Sequence, residues 1–201
     1  MIKLYEFALS GHCHKIRMML NLLDLPHEKI AVNGAANEHK SPDFLVMNPL
    51  GQVPVLEDDE TILRDSHGIL VYLAKRYGGT RWWPEDAKTA GQIASWLSTA
   101  ANEVANGPGT LRLQQKFGRD IDQARATQTS EFILGIINNH LEERQWLVGD
   151  ELSIADVAVY PYVALAPEGG VDLSVHRNIC RWIMDIRAIP GYVDMPGMWT
   201  S

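Results

Sequence analysis

The chain has 201 residues, 46% hydrophobic and 21% charged, a globular balance that can bury a core in one large domain or two small ones. A formal net charge of −7 argues against a nucleic-acid partner, because phosphate binding needs an excess of Lys and Arg. No apolar run approaches the roughly 20 residues that span a bilayer, so no membrane association is expected.

The opening MIKLYEF lacks a charged region followed by a long apolar stretch, so it does not read as a signal peptide. Cys13 and Cys180 lie far apart and are expected to be free thiols in a cytoplasmic protein. Ile2 to Phe7 alternates apolar and polar residues, as a half-buried strand does. After the loop Ala8-Leu9-Ser10-Gly11, Ile16, Met19, Leu20 and Leu23 recur at helical spacing, predicting a helix from His12 to Leu23. Asp24-Leu25-Pro26 stops it. A second strand is expected over His27 to Val32. Ser41-Pro42-Asp43 starts a short helix with proline in its first turn. Val53 to Glu57 and Thr61 to Leu63 form a hairpin around an acidic turn. Ser66 to Tyr77 is helical again, through Ile69, Leu70, Leu73 and Tyr77.

Residues 1–77 therefore run β-α-β-α-β-β-α. Residues 78–86, with Gly-Gly and Trp-Trp-Pro, break both periodicities and predict a linker. Residues 87–201 read as all-helical. Ile93, Trp96, Leu97, Ala100, Ala101 and Val104 form one apolar face, ended by Asn106-Gly-Pro-Gly109. Phe132, Ile133, Ile136, Ile137 and Leu141 form the next. Ser153-Ile-Ala-Asp156 opens another helix, with Ser153 as cap and Leu152 able to pack on Val157. Asp156 is one carbon shorter than the usual Glu or Gln. A last helix over Val175 to Ile189 turns Ile179, Trp182, Ile183 and Ile186 inward.

Three stretches carry further meaning together. The first is Asn48-Pro-Leu-Gly-Gln-Val-Pro-Val-Leu56, followed nine residues later by Asp65-Ser66 and the apolar run Ile69-Leu-Val-Tyr-Leu73. The others are Glu38-His-Lys-Ser-Pro-Asp-Phe44 and Leu152-Ser-Ile-Ala-Asp156. In this order and spacing, over almost its whole length, the chain resembles the cytosolic glutathione S-transferases. The resemblance implies an α/β thioredoxin-like N-terminal domain that holds glutathione, an all-α C-terminal domain that helps hold a co-substrate, and a homodimer.

Glutathione is an acidic tripeptide with a free thiol. Its site needs a partner for an extended backbone, donors for carboxylates, and a group that stabilises a thiolate. A cis bond between Val53 and Pro54 would turn the amide and carbonyl of Val53 outward to pair with the ligand as an added strand does. Ser66 is expected as N-cap of the helix it opens, at an anion-binding helix terminus. By resemblance, Asp65 takes the γ-glutamyl ammonium, Ser66 its carboxylate, and Gln52 contacts the same end. The family usually has Glu where this chain has Asp65. His39 and Lys40 resemble the His-Lys pair that theta- and phi-like members place on the glycine carboxylate, Lys40 acting as a point charge.

Ala8-Leu-Ser-Gly-His-Cys13 is similar to the Ser-x-x-Cys pattern of the serine-type classes, which assigns thiolate stabilisation to Ser10. A thiol of pKa about 8.5 is only a few per cent ionised at pH 7, and lowering it by about two units needs roughly 2.7 kcal/mol. A hydrogen bond to a charged group supplies about 1.5–3 kcal/mol, and a helix N-terminus roughly 0.3–1 more. No general base is required. Ser10 could also be only the cap of the first helix, and the two roles can coexist. Cys13 is the rival: at a helix N-terminus beside His12, His14 and Lys15 its pKa could be depressed, giving a glutathione-dependent disulfide exchanger. Consecutive helical residues point apart, so His12, Cys13 and His14 do not read as a metal site, and no metal is expected. Phe7, Leu9, Asn102 and Asn106 are expected around the electrophile, with the tail Met195-Pro-Gly-Met-Trp199 closing over it. A glutathione-dependent isomerase and a non-catalytic scaffold on the same fold are the other readings. Gly-x-Gly-x-x-Gly, Gly-rich Lys loop and Gly-x-Ser-x-Gly patterns are all absent.

Overall fold

The computed structural model describes residues 1–200. Strand β1 (Ile2–Glu6) is followed by helix α1 (Gly11–Leu22), β2 (His27–Ala31), a single tight turn of helix (Glu38–Lys40) and α2 (Pro42–Met47). Then come β3 (Val55–Asp58), β4 (Thr61–Arg64) and α3 (Ser66–Leu73). The four strands form one mixed sheet in the order β2-β1-β3-β4. β1 runs parallel to β2 and antiparallel to β3, and β4 closes the hairpin. Leu4 pairs with Leu56 across β1 and β3, and both are fully buried. Alternation in β1 turns Ile2, Leu4 and Glu6 inward. The inward Glu6 is tolerated because Arg17 of α1 pairs with it at 2.5 Å, as a buried charge requires.

Beyond Leu73 the helix widens through 74–78 and ends in the short α4 (Gly79–Trp82). The expected linker thus begins with a helical turn that buries Trp82. The all-helical part comprises α5 (Ala87–Thr99), α6 (Thr110–Phe117), α7 (Gln123–His140), α8 (Ile154–Ala164) and α9 (Arg177–Arg187).

Two expectations are corrected here. Asn106-Gly-Pro-Gly109 does not end a helix, because a wide π-type turn over Ala100–Gly109 carries α5 straight into α6. Such turns accommodate the lost N–H of a proline like Pro108. Packing explains Gly107: a β-carbon there would stand 2.9 Å from the Ser130 amide nitrogen of α7. The apolar faces are also narrower than their residue lists. Ala101 is exposed, and so are Phe132 (62%) and Ile136 (43%), whereas Ile133, Leu134 and Ile137 carry the buried stripe of α7.

Every residue of α8 is buried. Its capping box closes despite the short acid: Asp156 accepts the Ser153 N–H at 3.0 Å and hydroxyl at 3.1 Å. The other carboxylate oxygen accepts the Leu147 N–H and Trp182 Nε1–H, both at 2.9 Å. Leu152 and Val157 are buried in the same core. Helix α1 packs on α3 within its own half and on α8 of the other, and this junction supports the site.

Candidate functional site

The loop after β1 ends at Ser10, whose extended backbone (φ −81°, ψ 123°) caps α1. The Ser10 Oγ accepts the Cys13 N–H at 3.2 Å. A hydroxyl has one hydrogen and two acceptor lone pairs, so capping uses a lone pair and leaves the O–H as a donor, which is also directed at the Cys13 sulfur. Gly11 is required next, because a β-carbon there would come within 2.8 Å of the Tyr162 ring of α8. His12 then stands edge-on to the same ring, centroids 4.9 Å apart.

Cys13 departs from the depressed pKa considered for it. The side chain is fully buried, and burial pushes its thiol up to about 11, with the Ser10 hydrogen bond only partly opposing. A thiol of this kind is a poor nucleophile. Cys180 is part-buried, and both cysteines are free.

A pocket of about 70 Å³ lies beside this helix terminus. It is bounded by His12 of α1, by Asn48 and Leu50 of the turn before β3, by Gln52, Val53 and Pro54, and by Arg64, Asp65 and Ser66. The Val53–Pro54 bond is cis. The Asn48 amide shapes the turn, donating to the Gln52 carbonyl at 2.7 Å and accepting the Leu50 N–H at 3.0 Å. Gly51 has φ +57°, which favours glycine, and a β-carbon there would meet Lys40 at 2.7 Å.

At the head of α3 the cap is Asp65, not Ser66. With φ +69°, Asp65 turns one carboxylate oxygen onto the N–H groups of His67 (2.9 Å) and Gly68 (3.2 Å). Both residues are cap formers, and the left-handed backbone at 65 moves the helix start one residue earlier. Burial opposes the Asp65 charge, but the N–H donors of Gly68 and His67 outweigh it, and the carboxyl falls below its usual range. Capping occupies one oxygen, and Asp65 also lines the pocket. Ser66 becomes the first helical residue, 3% exposed, with Oγ 3.3 Å from His12 Nδ1.

His39 and Lys40 do not line this pocket but adjoin it. Lys40 Nζ donates to the Leu50 carbonyl at 3.0 Å. His39 stacks edge-on against Phe7 at 5.3 Å, and its Nδ1 has no partner among the described residues.

Lys15, expected only as a charged neighbour of Cys13, and His67, which no motif marks, complete the cluster. Lys15 is fully buried; its Nζ lies 2.9 Å from His67 Nε2 and 3.4 Å from His12 Nδ1. Its burial was readable, because it stands four residues before Met19 on the apolar stripe of α1. His67 gave no such signal. Burial is the main cause of three depressed pKa values here, His12 and His67 falling to about 3 and Lys15 to about 7.

The residues expected around an electrophile do not gather in one place. Phe7 is half-buried against His39, and Leu9 is 37% exposed at the loop. Asn102 and Asn106 bond to each other at 3.0 Å in a separate groove bordered by Arg125 and Phe132 of α7. The tail is no loose cover: Met195 and Met198 are buried, and the Trp199 N–H donates to the Ala164 carbonyl at 2.7 Å. Among the described residues no group of three or more His, Cys, Asp or Glu is placed to hold a metal ion, and no helix is long and apolar enough to cross a membrane.

Residues 4–81 match the family model described as glutathione S-transferase, N-terminal domain, and residues 110–190 that described as glutathione S-transferase, C-terminal domain. The chain is 29% identical over 197 residues to glutathione S-transferase GstB of Escherichia coli K12, covering 94% of this chain and 95% of that protein. Identity to glutathione S-transferase 3 of Zea mays is also 29%, over 204 residues that cover 95% and 91% of the two chains. A crystal structure of a glutathione S-transferase from Pseudomonas fluorescens Pf-5 superposes with a TM-score of 0.90 at 32% identity, covering 97% of this chain and 98% of that one.

Proposed function

Because the chain belongs to the glutathione S-transferase family, we propose that it joins the glutathione thiolate to an electrophilic, partly apolar small molecule, with Ser10 as the residue that stabilises the thiolate. The observation that carries this reading is the Ser10 hydroxyl at the head of α1, whose oxygen accepts the Cys13 N–H through a lone pair, so that its hydrogen remains a donor on the sulfur-handling side of the helix terminus. The glutathione thiol gives its proton to solvent and the sulfur anion accepts the Ser10 O–H. Sulfur then attacks the electrophilic carbon. A C–S bond forms, and the leaving group departs with its electron pair.

The tripeptide lies, in this reading, along Val53-Pro54 as an added strand. Gln52, Asp65 and Ser66 hold its γ-glutamyl end, while His39 and Lys40 face its glycine carboxylate. The free second oxygen of Asp65 suits an ammonium, and Ser66 at the first turn of α3 suits a carboxylate. The high pKa of Cys13 speaks against disulfide exchange through that residue. A homodimer fits the exposed apolar groove of Trp96, Phe132 and Ile136 between α5 and α7.

A conjugation assay with an aryl halide tests the reading. Wild type and Cys13→Ser are expected to be active and Ser10→Ala strongly impaired. Activity that survives Ser10→Ala and disappears in Cys13→Ser would replace this reading with a redox one.

A further inference from the structure

A fully buried lysine needs an explanation, because burial in an apolar setting disfavours its charged form. Lys15 has no carboxylate within 4 Å among the described residues. Its nearest partners are two imidazoles, His67 of α3 at 2.9 Å and His12 of α1 at 3.4 Å. The Tyr162 ring of α8 faces it with Nζ 5.7 Å from the centroid. Among the described residues Asp65 is the anion that favours the Lys15 charge, and its carboxylate is turned onto the α3 amides.

The neighbours cannot themselves respond near neutral pH. Burial and the nearby Lys15 hold His12 and His67 at about 3, so both are uncharged. Burial pushes the Tyr162 hydroxyl up to about 12. An amine carries enough hydrogens to donate to both imidazoles, which places the His12 proton on Nε2 and the His67 proton on Nδ1. From Lys15 the chain of contacts continues outward. His12 Nδ1 is 3.3 Å from Ser66 Oγ, and His12 and Ser66 both line the pocket.

We propose that Lys15 is a positioning residue for the acidic end of glutathione, its buried amine taking up one proton from solvent as the γ-glutamyl carboxylate seats at Ser66 and the first turn of α3. One N–H bond forms on the lysine and no other bond changes. The ammonium then supplies the counter-charge of that carboxylate through space, across the His12 Nδ1 that both it and Ser66 Oγ face, and the carboxylate in turn makes the buried charge tolerable. This inference rests on the glutathione reading above. Its sign follows from mass action: an anion that binds the protonated form better raises proton affinity, and rising pH weakens binding. With the free amine at about 7, the dissociation constant should climb about tenfold per pH unit above neutrality until the bound-state pKa is reached.

The test uses S-methylglutathione, whose blocked sulfur removes the ionisation of the thiol. Titration calorimetry at pH 8, repeated in buffers of different ionisation enthalpy, counts protons taken up per ligand bound. Wild type should take up about one proton more than Lys15→Met. Lys15→Gln keeps donors for both imidazoles but cannot gain a proton, so it should bind with the same flat pH profile as Lys15→Met. Both variants should lose more in KM for glutathione than in kcat. Equal proton counts and equal pH slopes in wild type and Lys15→Gln would overturn the inference while leaving the glutathione reading intact. Failure of wild type to bind S-methylglutathione at any pH between 6 and 9 would overturn both.

Discussion

Ser10 Oγ accepts the amide hydrogen of Cys13 at 3.2 Å, and this single contact divides the labour between the two residues. Cys13 lends its backbone to fix the serine, while its own sulfur stays buried. Ser10→Ala should therefore lose a helix cap, about 1 kcal/mol of stability, and a donor to the bound sulfur anion. One such donor is worth about 1.5–3 kcal/mol, so the pKa of bound glutathione should rise by one to two units at about 1.36 kcal/mol each. Ultraviolet titration of the bound thiolate reads this directly, and an unchanged pKa in Ser10→Ala would refute the role given to the hydroxyl.

The two thiols should differ sharply in reactivity. Cys180 is part-exposed and Cys13 is not. Under native conditions a maleimide should label Cys180 first, and Cys13 only as the protein opens. Peptide mapping of a time course distinguishes them, and early labelling of Cys13 would contradict its burial.

Lys15 gives the stability a recognisable pH dependence. Its folded-state pKa is depressed from 10.5 to about 7, so between those values the unfolded chain binds more protons and stability rises with pH. Below pH 7 the full cost applies, with a ceiling of about 5 kcal/mol at 1.36 kcal/mol per pH unit. Lys15→Met should thus gain more stability at pH 6 than at pH 10, relative to wild type, in urea unfolding at both values. A pH-independent difference would show that the buried amine keeps an ordinary proton affinity.

Asp156 gathers four donors from Leu147, Ser153 and Trp182 while fully buried. Asp156→Ala strands those donors and should cost about 3–5 kcal/mol. Ser153→Ala, which removes only the cap hydroxyl, should cost about 1 kcal/mol. Thermal unfolding of both variants checks the order, and similar losses would show that the carboxylate is not the centre of the network.

Gly11→Ala would drive a methyl group to 2.8 Å from the Tyr162 ring. Overpacking of this kind typically costs about 1–3 kcal/mol, and here it also shifts the turn that carries Ser10. Both the melting temperature and the conjugation rate should fall together; a stable but unaltered enzyme would show that the junction gives way elsewhere.

Much of this fold was legible because its signals are local. Alternation marked β1, helical spacing marked α1 and α9, and Ser153-Ile-Ala-Asp156 announced the start of α8. The failures are places where distant contacts decide. Asn106-Gly-Pro-Gly109 has the composition of a stop, but the glycine at 107 serves the close approach of α7. Phe132 and Ile136 have core chemistry yet face outward, since periodicity shows a stripe and not its width. At the pocket, the stretch from Gln52 to Ser66 was readable as a motif, whereas the boundary between Asp65 and Ser66 depended on one left-handed residue. His67 was hidden because only folding sets it against Lys15.

Tyr162 lies against Gly11 on one side, and a β-carbon at Gly109 would stand 3.3 Å from its ring. The loop that carries Ser10 and the π-type turn that joins α5 to α6 therefore meet at one phenol ring. A substitution that moves this ring should shift the turn at Gly11, next to Ser10. The two halves of the chain are thus coupled mechanically at Tyr162, and a side chain placed against that ring cannot be chosen independently of the loop that follows β1.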